Sequence, residues 1–209
     1  LRYTGTAGIR PGVNFCASLR QIRRVIAVAA IMVGFCVAES SATTLAPISG
    51  DEQIQKAESI FRGRVDRIDT RRDWSKPQGP VVSTVRFTPL VVYKGKVGST
   101  VSLDFLGGAA DGVELKVEGM PQFQQGQEYV LFVSGVKNQI CPVVGWTEGQ
   151  LAVNGTAGAE DSVSMTRTSR DWLRRTTMAR SRGEMPSRLK LSDFETSLRA
   201  RITQVSGGK

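Results

Sequence analysis

The sequence predicts a mainly β chain: a small OB-like β-barrel of five to six strands with short flanking helices. Three observations lead there. Between residues 60 and 153 apolar and polar residues alternate in short runs, the period of half-buried strands. Gly- and Pro-bearing turns separate those runs at even spacing, which fits a barrel or a sandwich; the strand number and Pro89, a corner inside a long run, favour the barrel. One run, EYVLFV at 128–133, is apolar on both faces, as a barrel strand is where a helix covers the outer wall.

The elements follow in order. Ser49 and Glu52 have capping-box spacing, so a helix is expected over 51–57 with Ile54 and Ala57 on one side. The period then changes: Phe61, Gly63 and Val65 alternate with Arg62, Arg64 and Asp66, a half-buried strand whose inward Gly63 predicts a bulge or a close backbone approach. Residues 70–80 read as a loop from their Pro, Gly and charge content. In the long strand that follows, Val85, Phe87, Val91 and Tyr93 are assigned to one face, and Thr84, Arg86 and Thr88 to the other. Val101, Leu103 and Phe105 alternate with Ser102 and Asp104 in the next strand. GGAADG at 107–112 is a glycine-rich loop, after which Leu115 and Val117 stand against Glu114, Lys116 and Glu118. GMPQFQQGQ at 119–127 connects to the doubly apolar strand, and the last two strands are expected at 139–146 and 149–153.

Charge divides the chain into regions. Its 209 residues are 40% apolar and 22% charged, a globular composition. The net charge of +9 sits at the ends: residues 1–42 carry +4, residues 43–153 carry twelve basic and twelve acidic side chains, and residues 154–209 carry +5. A neutral core gives a nucleic-acid surface no electrostatic support, so no nucleic-acid partner is expected.

Residues 1–42 read as a signal peptide. Arg20, Arg23 and Arg24 precede a 14-residue apolar run at 25–38 and then ESSA, with cleavage expected after Ala38 or Ala42. That run is shorter than the ~20 residues of a membrane span. Residues before Leu19 read as an over-extended start, with Val13 or Leu19 as true starts; lipidation at Cys36 is the weaker reading, because Phe35 stands where a small residue is wanted. The expected product is exported, periplasmic or extracellular, without a transmembrane helix. Cys16 and Cys36 leave with the leader, so Cys141 stands alone as a buried small residue and no internal disulfide forms. The domain proper is expected over 43–153. Residues 154–190 read as a basic, loosely ordered arm, and 191–204 as a helix packing on the barrel, with Ser192 and Glu195 at capping-box spacing and Leu191, Phe194, Leu198 and Ile202 as its apolar stripe.

The chemistry is mostly negative. The chain has no histidine, which removes the commonest general base, the Ser-His and Cys-His pairs and every His-containing zinc site. The carboxylates fall singly along strands, where a solvated face is the default. SRLK at 187–190 has bare Ser-x-x-Lys spacing without companion motifs, and NGT at 154–156 is a glycosylation sequon only in a host that uses one. No catalytic residue, metal ligand or cofactor is assigned. The binding candidates are Asp73 and Trp74 in the first long loop, Trp146 and Glu148 in the last turn, and Arg170, Trp172, Arg174 and Arg175 in the arm. Against these stand plainer readings: each loop Trp covers an end of the barrel, and the arm is a solvated tether.

Three segments also carry a resemblance: AESIFRGRV at 57–65, STVRFTPLVVYKG at 83–95 and GQEYVLFV at 126–133. Their run resembles the motifs of tissue-inhibitor-of-metalloproteinase and netrin-like modules, and of secreted bacterial proteins of unknown function with the same layout. The resemblance spans roughly 57–153 and implies an OB-like barrel with flanking helices. Those inhibitors chelate zinc through an N-terminal cysteine, which neither expected cleavage exposes here. The expected function is a secreted, non-enzymatic binding module contacting a protein or an anionic envelope component. The alternative is a protease inhibitor or regulator acting without zinc chelation, and the third is an enzyme built on converged carboxylates. No oligomeric state follows from the sequence.

Overall fold

The computed structural model describes residues 48–75, 79–135, 140–155, 160–176 and 186–207. The leader reading, with Cys16 and Cys36, lies outside them. The elements run α1 (Gly50–Lys56), β1 (Ser59–Arg72), β2 (Val81–Lys94), β3 (Val101–Leu106), β4 (Gly108–Ala110), β5 (Val113–Leu115), β6 (Glu128–Val133), a 3-10 turn (Trp146–Gly149), β7 (Gln150–Asn154), β8 (Ser162–Ser164), α2 (Arg167–Thr176), β9 (Arg188–Lys190) and α3 (Leu191–Ser206). Seven strands form one antiparallel sheet in the order β3-β2-β1-β6-β7-β8-β9, and β4 pairs with β5 apart from it.

The doubly apolar run explains how the layers meet. Tyr129, Leu131 and Val133 of β6 enter one cluster with Phe61, Val65, Phe87 and Leu103. Val130 and Phe132 enter a second with Ile54, Ile60, Leu151, Trp172 and Phe194. Alternate residues of a strand point to opposite faces, so β6 is the wall between two cores. The first core lies under the sheet's inner face, closed by Met120, Phe123, Cys141 and Val143. Residues from all three helices contribute to the second: Ile54 of α1, Trp172 of α2, and Phe194 and Leu198 of α3. Each large side chain so buried contributes roughly 1.5–3 kcal/mol.

Helix α1 begins as the capping-box spacing predicts: Ser49 Oγ accepts from the Glu52 backbone N–H at 3.3 Å. At its other end Lys94 Nζ donates to the carbonyls of Ile54 and Ala57, both at 2.6 Å, which satisfies acceptors that a helix terminus leaves open. Arg201 of α3 grips Asp51 in α1 through two nitrogens, at 2.7 and 2.5 Å.

Several expectations need correction. Val91 and Tyr93 do not share a face with Val85 and Phe87; the first pair packs in the helix-covered core and the second in the inner one. The β1–β2 register steps from Arg62↔Val91 to Gly63↔Pro89, passing over Leu90. That bulge reverses the parity of β2, and Pro89, with no N–H to give a ladder, stands beside it. The loop expected at 70–80 is shorter, since 70–72 complete β1. GGAADG is half hairpin: Asp111 (φ 52°) and Gly112 (φ 72°) turn β4 into β5. The strand expected at 139–146 reduces, among the described residues, to an isolated bridge between Val143 and Val133. Ser192 does not cap α3; Lys190 holds the N-cap position without a side-chain bond, and Ser192 Oγ donates to Glu160 at 2.7 Å.

Residues 154–190 are not a loose arm where they are described. β8 and β9 extend the sheet, and α2 lies between them in sequence with Trp172 and Leu173 buried. Nine strands are present among the described residues, more than the five to six expected. The sheet is not closed by a ladder: among the described residues β3 pairs only with β2, and one bond, from the Leu106 N–H to the Ile140 carbonyl at 3.1 Å, ties its far end across.

Candidate functional site

One end of the sheet gathers three connectors: the β1–β2 tip, the β4–β5 hairpin and the segment 116–123. Connecting segments on a rigid scaffold are where binding groups concentrate. At the tip the Asp73 N–H donates to the Pro80 carbonyl at 2.8 Å, and the Asp73 carboxylate accepts from the Ser75 N–H at 3.2 Å and the Ser75 hydroxyl at 2.5 Å. This Asx turn lifts Trp74 out of the sheet, leaving it 68% exposed. Its ring is nevertheless held. The Arg72 guanidinium lies 4.0 Å from the ring centroid while its Nε donates to the Gly79 carbonyl at 3.0 Å.

Further along the same two strands, at Ile68, Ser83 and Val85, opens a cleft of about 660 Å³, a volume in the range of ligand-binding clefts. Ile68, Val85, Phe105, Met120 and Phe123 make its apolar floor, and Glu114, Lys116, Glu118 and Gln122 are among its polar groups. Phe123 is fixed by its neighbours: its ring centroid lies 5.3 Å from Phe87, 4.9 Å from Phe105 and 5.2 Å from Tyr129. The wall nearest the tip is tied by hydroxyls. Ser83 Oγ donates to the Gly107 carbonyl at 2.7 Å and lies 3.0 Å from Thr70 Oγ1.

The other sequence candidates fall elsewhere. Trp146 is partly buried against the inner core, and Thr147 beside it lines the cleft. Glu148 is spent on α2: its carboxylate accepts from the Thr168 N–H at 2.8 Å, and its own carbonyl accepts from Thr166 Oγ1 at 3.1 Å. A carboxylate at a helix N-terminus satisfies open donors and meets the positive end of the dipole. Trp172 is a correction. It is fully buried, 5.7 Å from Phe194 between ring centroids, so it is a core residue and no contact anchor. Arg170 turns back to the Thr166 carbonyl at 3.4 Å, Arg174 is exposed, and the Arg175 side chain lies outside the described residues.

Sequence spacing missed one convergence. Arg62 on β1 contacts Glu128 on β6 at 3.3 Å and Glu195 on α3 at 3.5 Å, and the Tyr93 hydroxyl donates to Glu195 at 2.6 Å. Burial foremost, then the Glu195 bond, pushes the Tyr93 phenol far above its ordinary range, so it stays a donor. The four residues lie on four elements, and no local pattern connects them. The Arg62 guanidinium lies between the two carboxylates, and with the Tyr93 hydroxyl it ties α3 to β1, β2 and β6. Cys141 is buried, and burial pushes its thiol up to about 11. Among the described residues no group of three or more acidic or cysteine side chains is placed to hold a metal, and no helix is long and apolar enough to cross a membrane. Compared with protein-family models the chain matches none, and no curated protein matches it.

Proposed function

We propose that this chain is a secreted, non-enzymatic binding module: a partly open OB-like barrel that grips a protein partner at the β1–β2 tip and the cleft beside it. One observation carries the reading: Trp74 is 68% exposed yet held by Arg72, an aromatic whose conformation is set before any partner arrives. Exposed aromatics set beside an apolar recess are the usual energetic centre of an interface, and prior ordering lowers the entropy lost on binding. The barrel reading is supported by the inner core, which Leu103 and Phe105 of β3 share with Cys141 and Val143, and by the Leu106–Ile140 bond. It agrees with the resemblance of 57–153 to the metalloproteinase-inhibitor and netrin-like modules. The chemistry of the site also favours contact: its floor is aromatic and aliphatic, and the carboxylates of Glu128 and Glu195 lie elsewhere, on Arg62.

The test places a photo-reactive amino acid at Ser75, beside Trp74, in the chain expressed in its source cells. A discrete adduct is expected in the exported fraction, competed away by excess wild type and at least about 30-fold less well by Trp74→Ala. Equal competition by both proteins contradicts the proposal. Turnover of a substrate by the purified chain does so too.

A further inference from the structure

The cleft at Ile68, Ser83 and Val85 has walls that are anchored from within the chain. A Cβ on Gly108 would lie 2.5 Å from Ser83 Oγ and 2.6 Å from Thr70 Cγ2, so the base of the β4–β5 hairpin sits directly on β1 and β2. Segment 119–123 is held as firmly. Met120 and Pro121 are buried, the Gln122 carbonyl accepts from Gln150 Nε2, and the Phe123 ring is set by three others. Walls fixed in this way lower the ordering cost of whatever enters.

The lining is graded in chemistry. Ile68, Val85, Phe105, Met120 and Phe123 offer apolar carbon. Among the described residues that line the cleft, the charged groups are Glu114, Lys116 and Glu118, all three exposed. Two carboxylates against one ammonium within five residues favour a cation over an anion. A phosphate or an anionic lipid would bring its charge up to Glu114 and Glu118. A wholly apolar occupant would use the floor and gain nothing from the rim.

Arginine fits both parts. Its methylene stem packs on apolar carbon, and its guanidinium, more weakly hydrated than an ammonium, presents donors in a planar fork suited to carboxylates. A cleft of this size holds more than one side chain. An extended chain projects residues two positions apart to the same side, so an apolar neighbour can enter with the arginine.

We propose that this cleft takes an arginine and an apolar residue two positions from it, presented by an extended segment of the protein partner, with the guanidinium on Glu114 and Glu118. This deepens the protein-binding reading above and rests on it, but names a contact that Trp74 does not make. The rim carboxylates lie in water, where an ion pair adds little, so the apolar residue supplies affinity and the arginine supplies selection.

The test selects phage-displayed linear 12-residue peptides on the full chain and measures synthetic copies of the binders. Their sequences are expected to share an arginine two positions from an aliphatic or aromatic residue. Changing that arginine to glutamine is expected to weaken binding about five- to tenfold, and to lysine about threefold. The double variant Glu114→Gln/Glu118→Gln alters two exposed side chains outside both cores. It is expected to bind the parent peptide about five- to tenfold more weakly, with a flatter salt dependence, and to bind the glutamine peptide as wild type does. On the wild-type protein the methyl NMR signals of Ile68, Val85 and Met120 are expected to shift with peptide bound, while those of Val130 and Leu151 in the helix-covered core stay. Binders that lack the arginine, binders that leave the cleft methyls unmoved, full binding by the double variant, or a library that yields no binder overturns the arginine site. Each of these outcomes leaves the protein-binding reading standing, since that reading fails by equal competition for the Ser75 adduct.

Discussion

Gly95 closes β2 at φ +75°, and a Cβ there would lie 2.2 Å from the Glu58 carbonyl oxygen. Both the conformation and the space exclude a side chain, so Gly95→Ala is expected to destabilise by at least about 3 kcal/mol, measured by denaturant melts. Trp74→Ala sits at the opposite extreme. The exposed ring supports nothing in either core, and its removal is expected to change stability by less than about 0.5 kcal/mol while removing the partner. Cys141 gives a chemical readout. Its thiol, raised from 9.0 to about 11 by burial, is expected to resist iodoacetamide at pH 8 in the folded chain and to react readily in denaturant. The linkage has a definite sign. The folded state holds the thiol proton more tightly, so this group's contribution to stability is intact below pH 9 and is lost as pH rises through about 11. Rapid alkylation of the native protein at pH 8 contradicts that burial.

Among the elements, β6 was the most legible, because a run apolar at both parities has no stable place except between two cores. The stripe Leu191, Phe194, Leu198 and Ile202 was legible for the same kind of reason: its period is helical, and Phe194 and Leu198 reach full burial. The face reversal in β2 was not. Pro89 marked an irregularity, but only the pairing with β1 decides that Leu90 is the residue passed over. Helix α2 was hidden by composition, since RTSRDWLRRT offers only Trp172 and Leu173 as large apolar residues. Trp172 against Phe194, Leu173 buried beside it and the Glu148 carboxylate on its first turn hold it. The Asp111–Gly112 turn was readable and overlooked, being an Asp-Gly hairpin signal. At the candidate site the exposure of Trp74 was legible from its loop, and the cleft was not, because its walls come from segments as far apart as Ile68 and Phe123. Phe194→Ala is expected to cost about 3–5 kcal/mol, because the cavity it leaves is lined from α2 and the sheet. A double-mutant cycle on Asp51 and Arg201 is expected to give about 1 kcal/mol of coupling, since both partners stay partly solvated.

Across the whole molecule, charge balance proved a poor guide to layout. The basic stretch 154–190 was read from its arginines as a tether, whereas the buried Trp172 and Leu173 of α2 and the short ladders of β8 and β9 make its described parts integral. Deleting residues 166–188 is therefore expected to lower the melting temperature by about 10 °C or more, because Trp172 and Leu173 leave the helix-covered core. A tether would melt unchanged. Among the described residues the exposed Trp74 at the tip stands outside both cores, while the cleft opens onto the inner one. Residue-resolved amide exchange of the full chain tests this division most directly. Val130, Leu131 and Phe132 are expected to exchange only through global unfolding, while Asp111 and Gly112 in the exposed β4–β5 turn exchange near the rate of an open chain. Fast exchange within β6, or protection of the β4–β5 turn equal to that of β6, would contradict a sheet whose central strand is walled between two cores.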